Sequence, residues 1–417
     1  MLKKDFPIFE NNPWLVYLDS AATLQKPKCV IDGVATYMQK DYANIHRGRY
    51  SLSERSEHIY WQARRKTAEL LWGQDDEIIF TASSTDSVNK LIKSLMFTWL
   101  LSHWDTVLLT KLEHHANIVP WQIVAKEYWI ILDFVELDAE QKIDMKDLQQ
   151  KLHDKVKVFS CTMVSNVTGG VSDMKAIKDI LDQASSSPLR FVDASQSVPH
   201  MPVDVHALWA DALYFTGHKL WAITGIGVLR WKNEFLKSLE PARWGGGMVE
   251  EVRMDWYSLQ WVPDKFEPWT PNLVGAVSLL YAIQYIESLW NGSIEKWFEK
   301  IHSIEKPLME YCMEKFAELE KDGILLVWPK HIDQKIWVFA FQLPPWKNAT
   351  QLWQYMAKHD MCIRCGAQCA HIFHAWLADM TAWKSCIQHT CRISLWWYND
   401  IQDIVKFFAI LEKFLYN

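Results

Sequence analysis

The chain has 417 residues, of which 49% are hydrophobic and 23% charged, and a formal net charge of −6. That length predicts two domains, the acidic balance speaks against nucleic-acid binding, and no apolar run of 18 residues offers a membrane span. The opening segment MLKKDFPIFENNP lacks the apolar centre of a signal peptide, which predicts a cytoplasmic protein whose eight cysteines are thiols rather than a disulfide framework.

Short apolar, β-branched runs recur along the first two thirds: EIIF (77–80), TVLLT (106–110), WIILDFVEL (129–137), KVKVFSCT (155–162), RFVD (190–193), DALYF (211–215) and GIGVLR (225–230). Their length suits strands buried on both faces. Helical stretches lie between several of them, at 86–101 behind the capping candidates Ser84 and Thr85, and at 172–184. Strands alternating with helices predict an α/β domain with a largely parallel sheet, whose ligands bind beyond the carboxyl ends of the strands. After about residue 284 the texture changes. A long helix (293–320), strands (324–328, 336–342), a helix (350–359), a cysteine-rich loop, a strand (391–396) and a last helix (400–416) predict a smaller α+β domain.

Chemistry-bearing residues follow the strands. Lys219 closes TGHK after DALYF, Asp193 ends RFVD, His114 and His115 follow TVLLT, and Ser83-Ser84-Thr85-Asp86 opens a helix. Each has a plain reading as a surface lysine, a helix cap, a structural pair and an N-cap. Together they also meet the needs of a pyridoxal-phosphate (PLP) site. Such a site wants a lysine to carry the cofactor, a carboxylate for the pyridine nitrogen, phosphate donors at a helix N-terminus, a stacking ring and an arginine for the substrate carboxylate.

The segments LDSAAT (18–23), HRG (46–48), EHHANIVPWQ (113–122), SNVTGG (165–170), VDASQ (192–196), TGHK (216–219), TGIGVL (224–229), FEPWTPN (266–272), RCGAQCA (364–370) and CRISLWWYN (391–399) occur in this order. Jointly they closely resemble the group II, Suf-type cysteine desulfurases and selenocysteine lyases of the class V aminotransferase family, from about residue 8 onward. The resemblance implies fold type I of the PLP-dependent transferases. A large domain (12–283) would carry a mostly parallel seven-stranded sheet, and a small C-terminal domain (284–417), joined by segment 1–11, would carry the catalytic cysteine loop. It implies that Lys219 carries PLP, that Asp193 faces the pyridine nitrogen, that Gln196 donates to the ring hydroxyl and that His114 stacks on the ring. Ser84, Thr85, Thr216 and His218 match phosphate ligands, and Thr270 matches a residue that reaches the phosphate of a partner subunit in a homodimer. Asn166, Arg364 and Arg392 match the set that binds L-cysteine, with Arg392 on its carboxylate. Cys369 matches the nucleophile that takes the sulfur as a persulfide, for a Suf acceptor protein and iron–sulfur cluster assembly. The rivals are another class V aminotransferase or lyase activity and a metal-binding protein, since Cys362, Cys365 and Cys369 form C-x2-C-x3-C. No metal is expected, because only Cys369 falls on a reactive family position. Cys365 stands where the family often has threonine or serine, and spacing alone leaves open whether it modulates Cys369 by forming a disulfide with it under oxidation.

The chain departs from the family at several places. The phosphate loop has lost its glycine, Gln368 replaces the histidine before the nucleophile, and Ile372 replaces a proline after it. There are 24 Trp and only 15 Gly, where average usage would give roughly 29 glycines. Trp104, Trp129, Trp209, Trp231, Trp244, Trp269, Trp290, Trp328, Trp337 and Trp353 stand at positions where the family has glycine, and WD and WPK are poor turn chemistry where GD and GPK are good. Trp121 matches a family tryptophan, and Trp221 a position that is often aromatic. The pattern predicts glycine at many of these sites, as a UGA codon read as glycine in the host and as tryptophan in this translation would produce.

Overall fold

The computed structural model describes residues 3–289, 294–380 and 390–416, so Trp290 and Cys386 lie outside the described residues. Seven strands form the main sheet: β1 (Ile78–Thr81), β2 (Thr106–Thr110), β3 (Ile131–Val135), β4 (Val156–Thr162), β5 (Leu189–Asp193), β6 (Ala212–Thr216) and β7 (Gly227–Trp231). Their spatial order is β1-β7-β6-β5-β4-β2-β3, and β7 alone runs against the rest. The central strands read as continuous apolar runs because helices cover both faces; β2, β6 and β7 are buried at every residue. This is the expected fold type I architecture, with strand positions within a few residues of the sequence reading.

Among the helices, α1 (Lys28–Lys40), α2 (Ser51–Leu70) and α6 (Leu273–Leu289) pack together, while α3 (Ser84–Phe97), α4 (Val119–Tyr128) and α5 (Met174–Asp182) lie between the strands. Strand β3 begins at Ile131 rather than 129, because α4 ends on Trp129 in the left-handed conformation. The cap of α3 is Ser83, not Ser84 or Thr85. Its backbone is extended and its hydroxyl accepts the Asp86 N–H at 3.1 Å, which makes Ser84 the first helical residue. Strand β7 passes directly beneath this helix start: a Cβ on Gly227 would lie 2.5 Å from the Ser83 backbone, so only glycine fits there.

Residue 284 falls inside α6. Beyond it, α7 (Ile294–Leu319), α8 (Ala349–Ala357), α9 (His371–Met380) and α10 (Ile401–Tyr416) accompany a four-stranded antiparallel sheet. Its strands are β8 (Leu325–Leu326), β9 (Val338–Gln342), β10 (Arg364–Cys365) and β11 (Thr390–Ser394), in the order β8-β9-β11-β10. The N-terminal stretch joins this region. Val16–Tyr17 pairs with Met361–Cys362, and Asp19 bridges to Ser394.

Among the described residues, six of the twelve non-glycine residues with positive φ are tryptophans: Trp72, Trp99, Trp104, Trp129, Trp221 and Trp269, at φ between 52° and 70°. A bulky residue held there costs about 1–3 kcal/mol. The strain expected at the glycine-like positions is therefore present at Trp104, Trp129 and Trp269. It is absent at Trp209, Trp231, Trp244, Trp328, Trp337 and Trp353, whose φ is not positive. A second anomaly concerns the indole N–H groups. Those of Trp221, Trp231, Trp297, Trp328, Trp337, Trp396 and Trp397 are buried and meet no acceptor among the described residues, whereas Trp121 donates to Asn117 Oδ1 at 3.2 Å and Trp209 to the Met174 carbonyl at 2.9 Å. Buried indoles normally find a partner.

Candidate active site

The sheet gathers its chemistry at one edge. Thr110, Thr162, Asp193 and Thr216 end parallel strands there, and Thr81 and Thr216 flank Gly227 in register. Thr216 leads into the turn Gly217–Lys219, which puts Lys219 just past the end of β6. Burial pushes its amine down to about 8; Asp193 opposes that shift, Arg392 and Arg364 reinforce it, and Cys369 opposes it. Four of the expected residues therefore act electrostatically on one lysine.

Asp193 is buried. Its Oδ1 accepts the Ser195 N–H at 2.9 Å, and burial holds its carboxyl above the usual range. A buried carboxylate with so little donor support is suited to a further N–H⁺ partner. Gln196 is anchored by its amide donating to the Ala21 carbonyl at 2.9 Å. His114 Nδ1 accepts the Ala116 N–H at 3.0 Å, so its proton is on Nε2. Burial, Lys219 and His115 push His114 down to about 3, leaving a neutral ring able to stack on a flat cofactor. The Nδ1 of His218 is buried without a partner, and burial beside Lys219 pushes this ring down to about 4. Ser84 and Thr85 supply the first turn of the fourteen-residue α3, a natural cradle for an anion. These groups fit PLP: an amine, a buried carboxylate, a neutral ring, an orphaned imidazole nitrogen and a helix N-terminus. Thr270 is exposed and makes no hydrogen bond within the chain among the described residues.

Arg364 and Arg392 lie opposite one another on β10 and β11. Both are held by Asp19. Arg364 donates through Nε and Nη2 at 3.1 and 2.7 Å, and Arg392 through Nη2 at 3.1 Å. Arg392 Nη1 also donates to the Asn166 carbonyl at 2.7 Å, while its Nε is buried and unpaired. Asn166 in turn donates from Nδ2 to the Gln368 carbonyl at 2.8 Å, tying the arginine pair to the loop that bears Cys369.

Cys369 is exposed, and both it and Gln368 have positive φ, at 57° and 43°. Such a turn persists only when its surroundings hold it. The His115 N–H donates to the Cys369 carbonyl at 2.8 Å, and the His371 N–H donates to His115 Nε2 at 3.1 Å. The two imidazoles stack at 4.8 Å with His371 Nδ1 3.0 Å from His115 Nε2. Because His115 Nε2 accepts, this ring must be neutral; burial and His371 hold its pKa below the usual value.

The sulfur neighbour of Cys365 is Cys391, with the two Sγ atoms 2.9 Å apart. Among the described residues no group of three His, Cys, Asp or Glu is placed to hold a metal ion, and no helix is long and apolar enough to cross a membrane. The sequence reading gave no role to Asp19, to His371 or to Glu113. Glu113 is buried and receives Thr110 Oγ1, Asn117 Nδ2 and the Thr162 N–H, and burial raises it to about 8. Asp19 and Glu113 lie within LDSAAT and EHHAN, so the motifs themselves were the available signal.

The class-V aminotransferase profile matches residues 16–407. The chain is 32% identical to a probable cysteine desulfurase of Synechocystis over 99% of its own length and 94% of the relative's. It is 34% identical to one of Chlamydia trachomatis, over 99% and 98%. The apo cysteine desulfurase of Thermococcus onnurineus superposes with a TM-score of 0.89 at 30% identity, covering 100% of this chain and 97% of that one. A C-DES mutant with glycine covalently linked to its PLP cofactor shares the fold, with a TM-score of 0.80 at 18% identity, over 99% of each chain. The chain belongs to the class-V aminotransferase family of PLP-dependent enzymes.

Proposed function

We propose that this protein is a cysteine desulfurase, converting L-cysteine to L-alanine and leaving the sulfur as a persulfide on Cys369. The observation that carries this reading is the chain of contacts in which Asp19 holds Arg364 and Arg392, and Asn166 ties Arg392 to the Gln368 carbonyl beside Cys369, with Lys219 near enough for Asp193, both arginines and Cys369 to act on it electrostatically. An amine for the cofactor, a carboxylate clamp and a sulfur nucleophile thus share one site. PLP, when bound, supplies an electron sink for charge developing on the substrate.

The chain's own residues do the rest. Lys219 carries the cofactor and, with an amine near pKa 8, takes and returns protons close to neutral pH. Asp193 holds the pyridine nitrogen, Gln196 the ring hydroxyl, and His114 covers the ring. Ser84, Thr85, Thr216 and His218 hold the phosphate. Arg392, with Arg364 and Asn166, orients the substrate carboxylate and aims its sulfur at Cys369. The Cys369 thiolate forms the S–S bond as the substrate C–S bond breaks, and the C–S electron pair stays with the carbon that leaves as L-alanine. Exposure of Cys369 suits onward transfer to a Suf acceptor protein for iron–sulfur cluster assembly in the cytoplasm. Exposed Thr270 suits a phosphate contact across a homodimer. The PLP-binding unit is residues 12–283 and the smaller unit 284–417, joined by 1–11.

The test uses purified holoprotein with L-cysteine. Alanine and protein-bound persulfide should appear in equal amounts, and both should vanish in Cys369→Ala while the visible cofactor band remains. A protein that takes up no PLP, or that releases alanine without Cys369, would overturn the reading.

A further inference from the structure

Cys365 and Cys391 face each other directly across β10 and β11, one residue from Arg364 and Arg392. The Gly366 N–H donates to the Thr390 carbonyl at 2.9 Å, so the next pair along is hydrogen-bonded. By the antiparallel alternation, Cys365 and Cys391 form the closely spaced pair, whose Cα atoms sit about 4.5 Å apart. That spacing lies within the range of about 4.4–6.8 Å that a disulfide spans. A bridge is therefore within reach, with the two Sγ atoms 2.9 Å apart, but the usual Cα separation of about 5.5–6 Å means that closing it pushes the two strands apart.

We propose that Cys365 and Cys391 are a dithiol modification site, oxidised by a hydroperoxide to a disulfide, and that closing this bridge weakens amino-acid binding at the neighbouring arginines. The second half rests on the substrate reading of Arg364 and Arg392.

The two thiols differ in access. Cys365 is partly exposed and lines an open groove with Tyr17, Asp19, Trp353 and Cys362, whereas Cys391 is buried. Burial and the nearby Cys365 keep the Cys391 thiol protonated. Cys365 therefore attacks the peroxide first. Its sulfur is oxidised to a sulfenic acid as the O–O bond breaks, and the peroxide leaves as an alcohol, or as water from hydrogen peroxide. Cys391 then attacks that sulfur. The S–S bond forms, hydroxide leaves, and it takes the Cys391 proton as water. Two thiols lose two electrons in total and the peroxide gains them.

The mechanical consequence follows from the sheet order. Strand β11 is held on its other side by β9, whereas β10 is a two-residue edge strand. Strain from bridging therefore falls on β10 and moves Arg364, whose guanidinium shares Asp19 with Arg392. Side chains alternate along a strand, so the arginines occupy the face opposite the cysteines and are not blocked by the bridge itself.

The experiment uses the PLP-loaded Cys369→Ala protein, which removes the nucleophile's own oxidation, and hydrogen peroxide as oxidant. Peptide mapping should find residues 365 and 391 in one linked peptide. L-alanine, which cannot reduce a disulfide, should bind about tenfold more weakly after oxidation, read from the cofactor absorbance. Dithiothreitol should restore it, and Cys365→Ser in the same background should remove the effect. A Cys362–Cys365 link, overoxidised Cys365 with Cys391 unlinked, or a correct link with unchanged alanine affinity would each overturn the proposal. If reduced Arg392→Ala protein binds alanine as tightly as its parent, the substrate reading fails instead, while the linked peptide still decides the disulfide.

Discussion

Two turns meet at this site and are built in opposite ways. The turn of Lys219 continues strand β6 out of the middle of the main sheet, and its carbonyls are engaged: His218 O accepts from the Leu24 N–H and from Lys26 Nζ. The turn of Cys369 hangs from residues 115 and 166 and carries two consecutive left-handed residues with no glycine. One end of the reaction is thus fixed by the sheet, and the other is a strained, exposed arm on tethers. Under the proposed function, a bound cofactor is served by rigidity, and a persulfide to be passed on is served by the exposure of Cys369.

The comparison can be broken at either end. The largest effect belongs to the fixed end: Lys219→Ala should lower desulfuration at least about a thousandfold by removing both carrier and proton shuttle, measured as alanine release. Next comes the anchor shared by both regions. Asp19→Asn removes the charge that pairs Arg364 and Arg392. At about 1.5–3 kcal/mol for a charged hydrogen bond, the KM for cysteine should rise roughly 10- to 100-fold. At the tethered end, His115→Ala should lower the persulfide formation rate by about tenfold, close to the net value of one lost hydrogen bond. The backbone tie survives, and cofactor absorbance should stay unchanged.

The pH dependence separates the two turns further. The Lys219 amine must be neutral to take up PLP and is protonated below about pH 8. Uptake by apoprotein should therefore quicken as pH rises and level off above that value. The tether weakens in the same direction but at lower pH: acid protonates His115 Nε2 and removes the acceptor for the His371 N–H, and burial and His371 hold that ring below its usual value. The smallest effect is on stability. Trp104→Gly, Trp129→Gly and Trp269→Gly should each raise unfolding free energy by about 1–3 kcal/mol through relief of left-handed strain, read by denaturant titration. Peptide masses from protein of the native host should show glycine at positions 104, 129 and 269; tryptophan there would end the recoding idea.

Much of the fixed end was legible in the sequence. A run such as TVLLT has the length of a strand covered on both faces, and Asp193 and Lys219 end or follow such runs, so the carboxyl edge was readable without coordinates. The tethered end was not. Asp19 and Arg392 are 373 residues apart, and Cys365 finds Cys391 only through strand register. Nothing local in C-x2-C-x3-C distinguishes that pairing from one with Cys369. The tryptophans were half legible. Turn chemistry identified Trp104, which is strained, and Trp328, which is not; Trp129 was flagged by the family pattern alone, and Trp231 ends a buried strand, where backbone strain does not mark it.

The position of Asp19 also sets a timetable. A chain emerging from the ribosome makes this carboxylate before the main sheet and both of its arginine partners after it. Residues 78–231 can assemble the cofactor edge of the sheet long before any counter-ion pair exists for an amino acid. A nascent chain can therefore be primed with PLP while still blind to free cysteine, and it gains its appetite for sulfur only once Arg364 and Arg392 have emerged.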